Sequence, residues 1–358
     1  MSDGLSLFED DPTVQRVDRR PRRAKSRRTI VVAVLAGLLV LLLAGGLTAN
    51  WYSQRVESAL SELAREDLMP GSGEGDAAGT GGPAPSPLPQ AQGINYVLLG
   101  SDSYGGADPG RSDTLIVAHV NASRDKVYLI SFPRDMWIDI PGHGKGKINW
   151  AYAFGGPALT IRTLEQLTGT PMNHAAVVDF EGFIQITEAL GGVEVFNKRA
   201  LRTSHEGGHY FPAGMVELRG AAALAYVRER YNLPNGDLDR AENQRDVVSA
   251  ILDKAARPSV LANPATVDAM LTQLSGAVTV DRGLTNEEIR ETALSMRIRG
   301  GNDIVRFQAP ITGTGWAGDQ AIVNVDHEQM AELGAALRED RLDDYLARFP
   351  NSCTGPNC

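Results

Sequence analysis

Hydrophobic and polar positions divide the chain into zones of different character. Residues 30–47 (IVVAVLAGLLVLLLAGGL) form an uncharged run of eighteen, nearly all apolar. A helix of that length rises about 27 Å, close to the hydrocarbon thickness of a bilayer, which predicts one membrane-spanning helix over residues 30–49. Trp51 and Tyr52 follow where an interfacial aromatic belt belongs. Val56, Leu60 and Leu63 recur on one helical face and predict a short stalk helix. Residues 70–93 hold twelve Pro or Gly among 24, too little apolar matter to order themselves, and read as a flexible spacer. Residues 50–93 are thus expected to be stalk and linker.

From Ile94 the pattern changes. INYVLL (94–99), TLIVAHV (114–120) and KVYLIS (126–131) are strand-length runs rich in β-branched residues, bounded by Gly- or Asp-rich turns. Helix is expected over 148–167, 181–190, 218–226, 236–256, most of 264–296, and 327 to about 347; strand over 175–180, 193–196, 304–308 and 321–325. Strands alternating with helices predict a three-layer α/β/α domain with a central mixed sheet over 94–350, followed by a tail at 351–358. No internal repeat and no second linker interrupts it.

Charge sets the orientation and removes one class of function. The first 29 residues carry eight basic and five acidic side chains, leaving 27 basic against 39 acidic, a net of −12, for the rest. The cluster RRPRRAKSRR (19–28) beside the apolar run should stay cytoplasmic and put the remainder outside the cell. A cleaved signal peptide fits less well, because the charged head and the apolar run are both too long. An acidic body argues against nucleic-acid binding. The two cysteines, Cys353 and Cys358, sit in the tail, so no zinc knuckle or cysteine nucleophile exists in the body.

Three segments carry candidate chemistry. The first is the loop from Leu99 to Thr114 (LGSDSYGGADPGRSDT), at a strand's carboxyl end, where open α/β sheets bind ligands. Asp102 and Asp113 flank it and can share a divalent cation such as Mg²⁺ or Mn²⁺ through oxygen ligands. Arg111 adds a planar fork suited to phosphate. In the second, Ser131-Phe-Pro-Arg-Asp135, Pro133 breaks the ladder and Arg134 projects from the sheet's end. The third runs from Tyr226 to Gln244. If extended, Arg228 and Arg230 point the same way. Asp237 opens a helix, and Asp237, Arg240 and Gln244 share one of its faces. So many arginines in short compass suit a polyanionic ligand better than a solvated surface. His205-Glu-Gly-Gly-His209 imitates a zinc-protease motif, but two glycines and Pro212 deny it the helix that chemistry requires. No G-x-S-x-G elbow and no Walker loop is present.

In this order the motifs resemble the LytR–CpsA–Psr family of cell-wall ligases: basic head, single span, LGSDS…RSDT, SFPRD, KIN (147–149), VDF (178–180) and Y-V-R-x-R…D-x-x-R-x-x-x-Q. The resemblance implies transfer of a glycopolymer from a polyprenyl-pyrophosphate carrier to peptidoglycan, beside the membrane lipid that holds the carrier. It also implies that Asp102 and Asp113 are metal-associated. Arg111, Arg134, Arg228, Arg230 and Arg240 would clamp the pyrophosphate, with Asp237 and Gln244 as further polar members. Where the family often has Arg-Gln, this chain has Asn243-Gln244; Arg245 follows about 100° further round the helix. Apolar residues of 150–167 and 177–190 are candidates for a lipid slot or simply for core. A polyprenyl-pyrophosphate phosphatase and a non-catalytic wall-polymer or lipid-binding module remain alternatives.

Overall fold

The structure, a computed structural model, describes residues 54–71, 88, 91–101, 112–204, 207–261 and 263–350. The predicted span at 30–49 and the tail at 351–358 lie outside them. No helix among the described residues is long and apolar enough to cross a membrane.

Helix α1 (residues 54–62) leads into strand β1 (Ala64–Glu66). Three antiparallel neighbours follow: β2 (Ile94–Ser101), β3 (Ser112–Val120) and β4 (Val127–Ser131). All of β4 and the last six residues of β3 are buried, as a strand covered on both faces demands. A hairpin of β5 (Trp137–Ile140) and β6 (Gly144–Lys147) enters α2 (Ile148–Thr168). Next come β7 (His174–Asp179), α3 (Phe180–Ala189) and four short strands in two ribbons: β8 (Val193–Asn197), β9 (Leu201–Arg202), β10 (Tyr210–Phe211) and β11 (Gly214–Leu218). Helices α4 (Gly220–Arg228), α5 (Asp237–Ala256), α6 (Pro258–Leu261) and α7 (Pro264–Ala277) precede β12 (Val278–Asp281) and α8 (Asn286–Ser295). The chain ends with β13 (Ile304–Gln308), the hairpin β14 (Ile311–Ala317) and β15 (Gln320–Val325), then α9 (His327–Arg338) and α10 (Leu342–Arg348).

The main sheet has seven strands in the order β1-β12-β7-β2-β3-β4-β13 and mixes parallel with antiparallel pairs. Alternate side chains of its central strands serve two cores. Val97, Leu99, Val117 and Ile130 pack with Ile161 and Leu164 of α2 and Leu333 of α9. Ile116, Ala118 and Leu129 face Val248 and Leu252 of α5 on the other side. The expected central mixed sheet between helices is therefore present. Close approach fixes one contact: a Cβ on Gly334 of α9 would overlap the Thr168 carbonyl, while the Gly334 carbonyl accepts from Thr170 Oγ1 at 2.8 Å.

Five local readings need correction. The expected stalk is helical only to residue 62; the chain then adds β1, parallel to β12, and buries Ala59, Leu60 and Leu68. The helical reading of 264–296 is interrupted because the β-branched Val278-Thr279-Val280 fills the place between β1 and β7. The last helix breaks at Asp340, whose φ of 53° turns the chain and whose carboxylate meets His119 Nε2 and the Ala122 amide. Gly155-Gly156 kinks α2, and Pro157 could not have donated to its ladder. Hairpin β5–β6 and strands β11 and β14 carry too few apolar alternations to be seen. In the zinc-protease imitation, Gly207 and Gly208 both have positive φ and strand β10 follows, while His205 and Glu206 lie outside the described residues.

Because β1 belongs to the sheet, a chain beginning at residue 93 should be less stable than one beginning at 54, by about 2–5 kcal/mol, the range of a large core deletion. Equal urea midpoints for the two would show that β1 contributes nothing.

Candidate active site

Side chains from three elements meet at one end of the sheet. The β2–β3 register shifts between Gly100 and Ser101, leaving Asp113 without a ladder partner, so this bulge frees it to aim away from the pleat. Strand β4 ends at Ser131 and Pro133 offers no donor; the Arg134 carbonyl instead accepts from the Asn149 amide at 3.2 Å, tying the exit loop to α2. Gly236, with φ of 54°, turns the chain into α5, and Asp237 occupies the first turn, where the helix dipole favours a carboxylate.

These parts close a ring of alternating charge. Arg134 donates through Nη1 to Asp113 Oδ1 at 2.7 Å and through Nε to Asp237 Oδ2 at 2.7 Å. Arg240 lies 3.2 Å from Asp237 Oδ1 and 3.7 Å from Asp113 Oδ2. Burial works against the charge on Arg134, yet the two carboxylates more than offset it and hold its pKa above the ordinary value. Arg240 is more deeply buried, and burial lowers its pKa despite Asp237. For Asp237, burial is outweighed by Arg240 and Arg134, so its pKa is lowered. The ring is imperfect in one respect: Asp237 Oδ1 and Arg240 Nε are buried without hydrogen-bond partners. Buried polar atoms left in that state signal a missing partner.

Sequence reasoning joined Asp113, Arg134, Asp237 and Arg240, and the structure brings these four together. Gln244 lies on the same helix, where its amide donates to the Val227 carbonyl at 3.3 Å. Arg228 is not in extended chain: it is the last residue of α4 and stands 4.4 Å over the Phe180 ring. Arg230 bonds Tyr231 Oη at 2.6 Å, and its charge reaches Arg240. Asp102 and Arg111 lie outside the described residues. Ile161, Leu164 and Val177, from the stretches considered for a lipid slot, are fully buried core.

Three residues of the site were missed. Asp135 faces Asp237 and pairs with Lys147 at 2.8 Å. Burial raises the Asp135 pKa, and the facing Asp237 carboxylate adds to that rise. The SFPRD and KIN motifs contained both residues, but nothing in their spacing showed them in contact. Glu229 is buried between the two arginines, and its carboxylate accepts from the Arg230 amide at 2.9 Å, the Asn232 amide at 3.1 Å and Ser204 Oγ at 2.8 Å. It fixes the loop that carries Arg228 and Arg230.

The donor chemistry suits a hard divalent cation in kind: carboxylate oxygens, one of them on Asp237 without a hydrogen-bond partner. Among the described residues no group of three or more His, Cys, Asp or Glu is arranged to hold a metal ion. What the ring can do without help is present cationic forks, held in position by carboxylates, to an incoming polyanion.

Removing the bridge should be visible in the carboxylates. The lowered pKa of Asp237 contributes stability that is present above its unfolded value, near 3.9, and is lost as pH falls through the folded value. Arg134→Met should raise the Asp237 midpoint by about one unit or more and begin that loss at higher pH. Carboxyl ¹³C titration reads this directly; an unmoved midpoint would show that Arg134 does not set the Asp237 charge.

Comparison with known proteins assigns the family. The LytR_cpsA_psr family profile matches residues 77–339. The chain is 35% identical to the polyisoprenyl-teichoic acid–peptidoglycan teichoic acid transferase TagU of Enterococcus faecalis, over 70% of this chain and 80% of that protein. It is 34% identical to the Bacillus mycoides protein of the same name, over 66% and 75%. The crystal structure of B. subtilis TagV superposes with a TM-score of 0.60 at 25% identity, covering 70% of this chain and 97% of that one. On sequence and fold together, this chain belongs to the LytR_cpsA_psr family.

Proposed function

We propose that the chain is a phosphotransferase that attaches a glycopolymer, of teichoic-acid, capsular or arabinogalactan type, from a polyprenyl-pyrophosphate carrier to peptidoglycan. The single observation that carries this reading is the ring of Arg134 and Arg240 with Asp113 and Asp237. Relatives named as teichoic acid transferases support it at 34–35% identity. Phosphoryl transfer asks a protein mainly for positioning and charge neutralisation, which planar guanidinium forks supply.

In the transfer, the acceptor hydroxyl oxygen attacks the phosphorus next to the glycopolymer. A new P–O bond forms there, and the bond to the oxygen bridging the two phosphorus atoms breaks. The carrier leaves as polyprenyl phosphate and keeps that electron pair. We assign the hydroxyl proton to Asp113, whose side chain is 32% exposed against 18% for Asp237. Arg134 and Arg240 exchange carboxylate for phosphate oxygens as the donor enters, so their charge is not left unpaired at any stage. Arg111, Arg228 and Arg230 extend the clamp, and Gln244 continues the Asp237–Arg240 face of α5 by one turn. Asp113, with Asp102, would hold Mg²⁺ or Mn²⁺, which supplies further positive charge to the phosphates when bound.

The same reading puts residues 30–49 in the cell membrane as a single pass, the basic head in the cytoplasm and the domain outside. No ATP is available there, and a pyrophosphate-linked donor brings its own driving force.

The test uses the full chain in detergent with a polyprenyl-pyrophosphate-linked glycopolymer and Mg²⁺, with and without peptidoglycan. Polymer phosphate should appear on the glycan, and Arg134→Ala should slow its appearance about 10²- to 10³-fold, as for loss of one charge-stabilising donor. Chelation with EDTA should slow it as well. Donor loss to water at one rate whether or not peptidoglycan is present would make the protein a phosphatase. No donor loss with any divalent metal would leave a binding module.

A further inference from the structure

A cavity of about 570 Å³ lies on the neighbouring face of α5, lined by Arg199, Leu238, Arg245, Gln308, Arg348 and Phe349 among others. It shares the helix wall of the clamp: Leu238 and Arg245 each follow a member of the Asp237–Arg240–Gln244 face by one position, about 100° round. Three arginines and two carboxylates, Asp239 and Glu242, therefore line a second recess beside the first.

Arg245 makes this recess unusual. It is 2% exposed, and burial lowers its pKa. Its Nη1 donates to Ser131 Oγ, while its Nε has no hydrogen-bond partner. No carboxylate of the described residues is within ion-pair distance of it. The two nearest acids are committed elsewhere: Glu242 pairs with Lys198 at 2.6 Å, and Asp246 with Arg306 at 3.1 Å. Asp246 and Glu242 reach Arg245 only through space, which leaves its buried Nε in want of an acceptor that an anion from outside the chain can supply. The remaining walls indicate the rest of that ligand. Leu238, Ala309, Ile311 and Phe349 offer an apolar floor, and Gln308 and Gln329 offer amides. An anion on a flat, hydroxyl-bearing ring fits such a lining.

We infer that this cavity is a second anion subsite, which binds a saccharide carrying a carboxylate or a phosphodiester through Arg245. The inference rests on the transferase reading for its purpose: the subsite steadies a sugar next to the one at the clamp. Ser131 and Arg134 are three residues apart, at most about 11 Å along the chain, so one glycan can reach both. Two sources carry the required anion. The acceptor glycan bears peptide carboxylates, and a teichoic-type donor bears phosphodiesters.

The full chain in detergent is titrated calorimetrically with muramyl dipeptide in one arm and a glycerol-phosphate oligomer in the other. One probe should bind, and it names the source. Arg245→Met, close in volume and apolar, should weaken that binding at least tenfold while the thermal midpoint holds or rises. Unchanged affinity, or no binding of either probe to the wild type, overturns the inference. If Arg245→Met does not fold, the exposed Arg199→Gln decides: about threefold weaker binding supports the subsite, and unchanged binding overturns it. Arg134→Ala separates the two readings. It should slow transfer about 10²- to 10³-fold and leave probe binding intact, so a wild type that binds the probe through Arg245 but transfers nothing loses the transferase reading and keeps the subsite.

Discussion

A guanidinium must stay charged, and Arg134 is held where water can only partly solvate it. That constraint organises the site. Its two carboxylates come from 21 residues back and 103 residues ahead, so the ring exists only if strand β3, the exit of β4 and the start of α5 are all in place. Each element also needs the core beneath it. Val117 and Ile130 position the strands against α2, and Val248 and Leu252 hold α5 on the opposite face. The functional ring and the hydrophobic cores are thus one cooperative object, although hydrophobic burial contributes most of the stability.

The ring also explains why three acids and three bases crowd one sheet end. With Lys147 paired to Asp135, three acids face three bases and the cluster stays near neutral without a ligand. A polyanion then meets forks already aimed, and little reorganisation is required on binding. Glu229 extends the same logic to the loop with Arg228 and Arg230, using backbone amides in place of ion pairs.

Much of this was legible in the sequence, for physical reasons. Strands β3 and β4 are continuous apolar runs because both their faces are covered, and such runs are hard to miss. Asp237, Arg240 and Gln244 were placed on one face by helix geometry alone. The contact of Asp113 with Arg134 was less accessible, since it depends on a bulge that no local pattern announces. Strand β1 was hidden because Ala-Arg-Glu has no strand propensity; it forms only because an edge of the sheet is there to receive it. Asp135 was overlooked for a similar reason: the carboxylate it faces, Asp237, is about a hundred residues away in the chain. Arg245 was placed correctly off the clamp's face, but its own surroundings are a property of the packed fold.

The Pro/Gly-rich segment has a consequence of another kind. Both its ends are sewn into one sheet, at β1 and at β2. The chain between Glu66 and Ile94 therefore joins two strands of one sheet. Loop-closure entropy grows only with the logarithm of length, so doubling the segment would cost on the order of 0.6 kcal/mol. Evolution is free to lengthen, shorten or decorate it with little effect on the fold. A protease that cut it would divide the chain covalently while the sheet still held both pieces together.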